Sequence, residues 1–300
     1  MNVIRADGLL ARLRFFGPRA KWRPGERGLV VREGGKVCAR AVVGRARGEG
    51  TGCVTQLFLA RDERAARALT EAIRAELRAM DLSQAVGPLS DDLSGFGNGL
   101  RASGFEGENT PFEADNPAWL PELLEKNGWE KRTDMLFYRL RRADVPWAFY
   151  ERAAARARAR YGYTVRFLSE MSRREAYELL LPMYRAVEPT DAQALASTLD
   201  RYFAAMGESA LAMQSGACVG ALIVLREGET RRAACLHVHP RARNHGVTAL
   251  LFDALNVKIP PEILEIQAGG IDEGNTYSKL NAEHTGATLF RRFRVYGLNV

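Results

Sequence analysis

The sequence predicts an α/β (α+β) protein made of two similar halves, each a mixed, mostly antiparallel sheet flanked by helices. Three observations predict this class. The chain has 300 residues, 46% hydrophobic and 26% charged, a composition ordinary for globular proteins at a length that suits two cores. Strand-like and helix-like segments alternate along each half. A helix with matching end signals recurs near the end of residues 1–141 and of residues 142–300, the two predicted domains.

The order of elements is the same in both halves. Residues 51–60 predict a strand, and residues 63–80 predict a helix with apolar side chains on one face. In the second half, residues 232–238 predict the corresponding strand, and an apolar-faced helix follows it. A pair of prolines ends that helix, and residues 262–267 predict the next strand.

Residues 151–160, with the sequence ERAAARARAR, lie just after the predicted domain boundary. They predict a helix on which Arg152, Arg156 and Arg160 share one face. A solvated helix face is one interpretation of these arginines, and contact with a phosphate or polyanion is the other.

The recurring helix lies in residues 116–129 and again in residues 275–287. In both segments an Asn stands at the predicted start of the helix, a Gly at its end, and a Tyr in the strand that follows. Asn is a good N-cap and Gly a good C-terminal stop, so either signal alone is common. Their recurrence with matched spacing favours a duplication.

A long loop, residues 87–115, distinguishes the first half from the second. Loops of this length are uncommon unless they are functional or disordered. This one predicts either a solvated surface loop or a wall of a substrate pocket that attracts a cationic acceptor. Its acidic residues are Asp91, Asp92, Glu106, Glu108, Glu113 and Asp115.

Composition excludes several classes of protein. The net charge is +7, but basic residues are spread over both halves, which argues against a nucleic-acid surface. No apolar run approaches the roughly 20 residues of a membrane span, and the N-terminal residues lack the pattern of a signal peptide. We therefore expect a cytoplasmic protein without a membrane partner. The four cysteines are dispersed and lack metal-ligand spacing, so no metal is expected.

The most informative segment is residues 236–251, LHVHPRARNHGVTALL. A predicted strand ends near Val238, a turn follows, and Gly246 leads into an apolar-faced helix. Such a turn directs several backbone N–H groups toward one point, with the positive end of the helix dipole behind them. A diphosphate suits that geometry, and Arg241 and Arg243 are placed to add charge-assisted hydrogen bonds.

The pattern V-x-P-x-x-R-x-x-G-V in this segment resembles the acetyl-CoA loop of GNAT N-acetyltransferases, written Q/R-x-x-G-x-G/A. Arg243 and Gly246 match that loop, and Thr248 stands where Gly or Ala is usual. Asn275 resembles the Asn that meets the pantetheine arm in this family. The resemblance implies a GNAT fold with acetyl-CoA or another acyl-CoA as co-substrate. The implied binding residues are Val238, Arg241, Arg243, Asn244, His245, Gly246, Val247, Thr248 and Asn275.

The first half resembles bacterial tandem GNAT-like proteins, most of which have no assigned substrate. The similar motifs are GPLS from Gly87, GLRASGF from Gly99, NPAWL from Asn116 and GWEKRTDMLFY from Gly128. The counterpart of the acetyl-CoA loop is residues 60–67, ARDERAAR. It has no glycine and places Asp62 and Glu63 where a diphosphate would lie, so we expect the first half not to bind coenzyme A.

Catalytic residues are less clearly marked. Many GNAT enzymes have a Tyr, as the acid for the departing thiolate, at the position that is Ala282 here. His237, at the strand end beside the expected thioester, is the candidate base, because imidazole takes up protons near neutral pH. The alternative is a strand histidine hydrogen-bonded to a neighbour. Tyr277 and His284 are weaker candidates, with packing on the last helix as their alternative role.

These residues lead to a hypothesis of an acyl-CoA-dependent N-acyltransferase, with acetyl as the expected group and a small amine, cationic in one version, as acceptor. Two other functions stay open. One is a non-catalytic acyl-CoA or metabolite-binding protein, which Thr248 and Ala282 favour. The other is an aminoacyl-tRNA-dependent transferase, since some tandem GNAT-like proteins have that activity. The sequence identifies neither the acceptor nor the oligomeric state.

Overall fold

The structure, a computed structural model, describes residues 1–17, 24–46, 50–90, 97–106, 113–188, 190 and 192–300. The first half contains β1 (Asn2–Arg5), α1 (Leu9–Phe16), β2 (Arg27–Glu33), β3 (Lys36–Arg45), β4 (Thr51–Leu59), α2 (Glu63–Ala79), β5 (Gln84–Leu89), β6 (Leu100–Ser103), α3 (Leu120–Lys126) and β7 (Trp129–Arg141). The second half contains α4 (Trp147–Tyr161), β8 (Thr164–Phe167), α5 (Arg173–Val187), α6 (Ala192–Tyr202), β9 (Ala210–Gln214), β10 (Ala217–Glu227), β11 (Thr230–Val238), α7 (Val247–Lys258), β12 (Glu265–Asp272), α8 (Thr276–His284) and β13 (Thr288–Asn299).

Within these residues, the strands form one continuous 13-stranded sheet. Its order is β1-β2-β3-β4-β5-β13-β7-β12-β11-β10-β9-β8, and β6 also pairs with β13. The β4–β5 and β11–β12 pairs are parallel, and the other paired strands are antiparallel. The predicted fold class, a mixed and mostly antiparallel sheet flanked by helices, is confirmed.

The two halves exchange their last strands. β13, from the second half, pairs with β5 of the first half, where Tyr296 lies opposite Gly87. β7, from the first half, pairs with β12 of the second, where Leu140 lies opposite Ile266. β7 and β13 also pair with each other along most of their length. Each half therefore completes the sheet of the other, and the division at residue 141, where β7 ends, stays a prediction.

The helices bury the apolar faces that the sequence predicts. The predicted face of α2 is buried in the core of the first half. In the second half, α5 and α6 cover one face of the sheet, and α4 and α7 cover the other. Arg152, Arg156 and Arg160 are exposed on α4, as a solvated helix face requires. Among the described residues, no helix is long and apolar enough to cross a membrane.

Two local predictions differ from the structure. The strand predicted over residues 262–267 begins later and continues to Asp272, because residues 260–263 form a turn closed by the Ile263 N–H and the Pro260 carbonyl. Asn116 does not cap α3, which begins at Leu120. Its side chain accepts from the Arg101 N–H at 2.6 Å and donates to the Arg101 carbonyl at 3.2 Å, so it satisfies backbone groups of β6 instead.

Candidate functional site

A gap opens between β11 and β12. The two strands pair only through residues 231–233 and 266–268, although both continue beyond that point. Where the pairing ends, β11 contains a β-bulge. Ala233 and Cys235 lie opposite successive residues of β10, which leaves Ala234 as an extra residue. A bulge bends its strand and interrupts regular pairing, so this one directs β11 away from β12.

A cavity of about 310 Å³ lies in this gap. The volume is near the lower end of the range for small-molecule sites. Its walls come from β11 and β12, and from the helices α4, α7 and α8. Most of the lining is apolar, with a few polar side chains that include Glu188, His237, Asp272, Asn275 and Asn281. Convergent polar groups in an apolar cavity are typical of a binding or active site.

The β12 wall contains two glycines that the sequence predictions did not use. Gly269 and Gly270 line the cavity, and Gly270 has φ +72°, a backbone conformation that favours glycine. Next to them the pairing of β12 with β7 shifts between Ala268 and Ile271. A glycine pair inside a strand indicates a bulge or the close approach of another group. That signal was present in the sequence.

The loop between β11 and α7 presents free backbone donors. Asn244 and Gly246 have φ +63° and +80°, and a Cβ on Gly246 would lie 3.0 Å from the Cβ of Ala157, so glycine is required there. In the described part of the chain, the N–H groups of Gly246, Val247 and Thr248 have no hydrogen-bond acceptor, and no side chain caps α7. Amides exposed in this way at a helix start form an anion-binding site.

Two arginines stand beside these donors. Arg241 and Arg243 are exposed, and neither makes an ion pair with a carboxylate of the described residues. Burial, together with the charges of these two arginines, lowers the pKa of His239. Unpaired arginines beside free amides strengthen the attraction of the loop for an anion.

The other predicted binding residues have varied environments. Asn244 is exposed and Val247 is buried under α4. His245 is a packed residue whose ring stacks on Tyr161 at 4.3 Å. Asn275 lines the cavity and also caps α8, where its Oδ1 accepts from the Ser278 N–H at 3.1 Å.

Val238 directs a backbone donor into the gap. The N–H of His239 donates to the Val219 carbonyl of β10 at 2.9 Å. Because N–H groups alternate in direction along an extended strand, the N–H of Val238 points the opposite way, toward β12.

The corresponding loop of the first half is closed to an anion. Asp62 precedes α2, and its Oδ1 accepts from the N–H groups of Arg64 at 2.8 Å and Ala65 at 3.3 Å. The carboxylate therefore occupies the position that an anionic ligand would take. This contact supports the expectation that the first half does not bind coenzyme A.

His237 lies in the wall of the cavity. Its ring meets the edge of Tyr184 at 4.8 Å between ring centroids. The Nδ1 atom is buried, and no described residue forms a hydrogen bond with it. Burial lowers the pKa of His237 below its usual value, although the carboxylate of Glu188 opposes this shift. The imidazole is therefore neutral at pH 7. The alternative role, a strand histidine hydrogen-bonded to a neighbour, would need a partner at Nδ1, and the described residues provide none.

The weaker catalytic candidates lie outside the cavity wall. Tyr277 is 90% exposed and His284 is also exposed. Neither side chain is therefore a packed residue of α8, which was the alternative role expected for them. Ala282 does line the cavity, at the position where the resemblance implies a Tyr. Among the described residues, no group of three or more His, Cys, Asp or Glu side chains is arranged to hold a metal.

The acidic loop does not supply a wall of this cavity within the described residues. Glu113 is buried, and its carboxylate contacts Arg101, Arg232 and Arg291 at 3.1, 2.7 and 2.6 Å. These contacts hold the loop at the start of β11, away from His237. Asp91, Asp92 and Glu108 lie outside the described residues. None of the described acids of the loop, Glu106, Glu113 and Asp115, lines the cavity, and a role of the loop in attracting a cationic acceptor stays a prediction.

Comparison with solved structures shows that this fold is similar to the folds of GNAT proteins, one of them a tandem GNAT protein. A tandem GNAT protein from the clavulanic acid biosynthesis pathway is similar with a TM-score of 0.56 and 16% identity, over 96% of this chain and 86% of that one. A GCN5-related N-acetyltransferase from Sphaerobacter thermophilus gives 0.52 and 15%, over 94% and 82%. A GNAT-family acetyltransferase from Colwellia psychrerythraea gives 0.51 and 10%, over 96% and 90%.

No family model matches the sequence, and the search of curated proteins found no match. At these identities the structural similarity establishes the fold, and the chemistry has to be argued from the site.

Proposed function

We propose that this protein is an acyl-CoA-dependent N-acyltransferase that transfers an acetyl group to a small amine. The observation that carries the proposal is the gap between β11 and β12. His237 lines the cavity in this gap, and the loop with free backbone donors follows directly after the end of β11. An acyl-CoA carries a diphosphate and a thioester at the two ends of a narrow pantetheine arm. The gap offers a matching group for each part.

Each wall of the gap has a role in this proposal. The amides of Gly246, Val247 and Thr248 bind the diphosphate, with Arg241 and Arg243 adding positive charge. The pantetheine arm lies between the separated strands, beside Asn275. The Val238 N–H donates to the thioester carbonyl oxygen and stabilises the charge that develops there.

His237 acts on the acceptor. The neutral imidazole takes one proton from the ammonium group of the acceptor, and the amine nitrogen then attacks the thioester carbon. The C–N bond forms and the C–S bond breaks. The second proton of the amine passes to the departing thiolate, because Ala282 offers no proton there. The products are the amide and coenzyme A.

Thr248→Asp tests this function at the loop. The position lies in the first turn of α7, where a carboxylate stabilises a helix but repels an anion bound at the helix N-terminus. We expect at least about tenfold weaker acetyl-CoA binding by isothermal calorimetry, with an unchanged or raised melting temperature.

Thr248→Ala is the matched control, because it shortens the side chain without adding charge and should bind acetyl-CoA at least as tightly as the wild type. Equal affinity of the Asp and Ala variants for acetyl-CoA would show that the diphosphate does not bind at this loop. A wild type that binds no acyl-CoA would refute the proposed function and favour the aminoacyl-tRNA-dependent alternative.

A further inference from the structure

Glu188 lies where the cavity opens beside His237. It follows the last residue of α5 and lines the cavity with an exposed side chain. Its backbone is held at both ends, since its N–H donates to the Tyr184 carbonyl at 2.9 Å and its carbonyl accepts from the Thr190 hydroxyl at 3.1 Å. The backbone of Glu188 is therefore held at the C-terminal end of α5.

The charge of this cavity is negative, although the chain as a whole is basic. Its lining contains two carboxylates, Glu188 and Asp272, and no Lys or Arg among the described residues. Asp272 is already engaged, because its Oδ2 accepts from Thr133 at 2.8 Å and its Oδ1 from the Gly274 N–H at 2.8 Å. Within the described part of the chain, the carboxylate of Glu188 has neither an ion pair nor a hydrogen bond. It is therefore available to a ligand.

Stability does not explain a Glu at this position. The carbonyl groups at the C-terminus of α5 carry the negative end of the helix dipole, and an acidic side chain there is unfavourable for the helix. The negative end of the helix dipole and the carboxylate of Glu188 together attract a cation. His237, a titratable side chain of the same cavity wall, is neutral at pH 7 and does not repel one.

We propose that the acceptor is an aliphatic amine with a second, non-reacting ammonium group and no acidic group near its reacting nitrogen, and that Glu188 selects it by binding that second ammonium group. This inference rests on the proposed function, because it assigns the acceptor end of the same cavity. It assigns recognition of the positive charge to Glu188, at the end of α5 in the second half of the chain, and not to the acidic loop of the first half.

Three amines of similar length test the inference: 1,4-diaminobutane, butylamine and 4-aminobutanoate. Each is titrated calorimetrically into the protein saturated with coenzyme A, and acetyl transfer to each is followed by thiol release from acetyl-CoA. For the wild type we expect the tightest binding and the highest kcat/KM with 1,4-diaminobutane and the lowest with 4-aminobutanoate. In Glu188→Gln, the preference for the diamine over the amino acid should fall by about tenfold, mainly through KM.

Glu178→Gln is the matched control, because Glu178 is an exposed acid of α5 and pairs with Arg174. The preference of this variant for the diamine over the amino acid should equal that of the wild type. The inference is overturned if the wild type binds none of the amines, shows no preference among them, or keeps its preference in Glu188→Gln. Acetyl-CoA affinity is measured in parallel. If the wild type binds acetyl-CoA and one of these outcomes is found, only the role of Glu188 is refuted. If the wild type does not bind acetyl-CoA, the proposed function itself is refuted.

Discussion

Replacing Glu113 with Ala is expected to lower the free energy of unfolding by about 3–5 kcal/mol. Glu113 is fully buried among Arg101 of β6, Arg232 of β11 and Arg291 of β13, all nearly or fully buried. Removing one partner of a buried ion pair leaves the other charge uncompensated in a region without water. Here one substitution would remove a carboxylate shared by three guanidinium groups, while Arg232 would keep its contact with Glu227 at 3.3 Å.

The electrostatics of Arg291 agree with this expectation. Burial lowers the pKa of Arg291, and the charges of Arg101 and Arg232 lower it further, whereas Glu113 opposes the shift. Glu113 is therefore the group that makes three close arginines compatible. Because these arginines come from strands of both halves, the carboxylate also joins the two halves at the point where their strands are exchanged.

Chemical denaturation of three variants measures the effect. Glu113→Gln keeps the volume and can still accept hydrogen bonds, so its loss of stability should be smaller than that of Glu113→Ala. Glu122→Ala removes an exposed carboxylate that pairs with Lys126 four residues later, and its stability should stay close to that of the wild type. A Glu113→Ala variant as stable as Glu122→Ala would mean that the arginines find other partners.

Replacing His237 with Leu should lower turnover at neutral pH by about 10²-fold to 10⁴-fold, the usual contribution of a general base. Affinity for acetyl-CoA should stay unchanged, because His237 acts on the acceptor. Stability should be unchanged or raised, since Leu has a similar volume and the buried Nδ1 that it removes has no hydrogen-bond partner in the described residues. A structural histidine would show the reverse pattern, with stability lost and turnover kept.

The pH dependence gives a second measurement on the same group. Burial lowers the pKa of His237, so the base remains unprotonated as the pH falls through the usual histidine range near 6.5. Wild-type kcat/KM should therefore hold to below that pH before it falls. The ring meets Tyr184 of α5, and the carboxylate of Glu188, at the end of that helix, limits the shift.

His284→Ala is the control for this prediction, since His284 is exposed at the end of α8 and outside the cavity wall. Its turnover and pH profile should match the wild type. If His237→Leu keeps the turnover of His284→Ala, His237 is not the base.

The sequence by itself determined the features that depend on neighbouring residues. Gly246 and the turn before it, the start of α7 and the Asn275 cap of α8 are local, because backbone conformation and capping are set by the residue and the next turn. The same reasoning correctly placed β4, α2 and β11, and it associated Asp62 with a closed loop in the first half. It failed for Asn116, whose side chain binds a strand distant in sequence.

Only the tertiary structure decided which distant groups meet. The exchange of β7 and β13, the three arginines around Glu113, and Glu188 beside His237 all join residues far apart in the chain. Acidic residues in a loop have the same local pattern whether they face solvent, a substrate or buried arginines. Their role depends on burial, because a charge removed from water must be paired, and burial follows from the packing of the whole sheet.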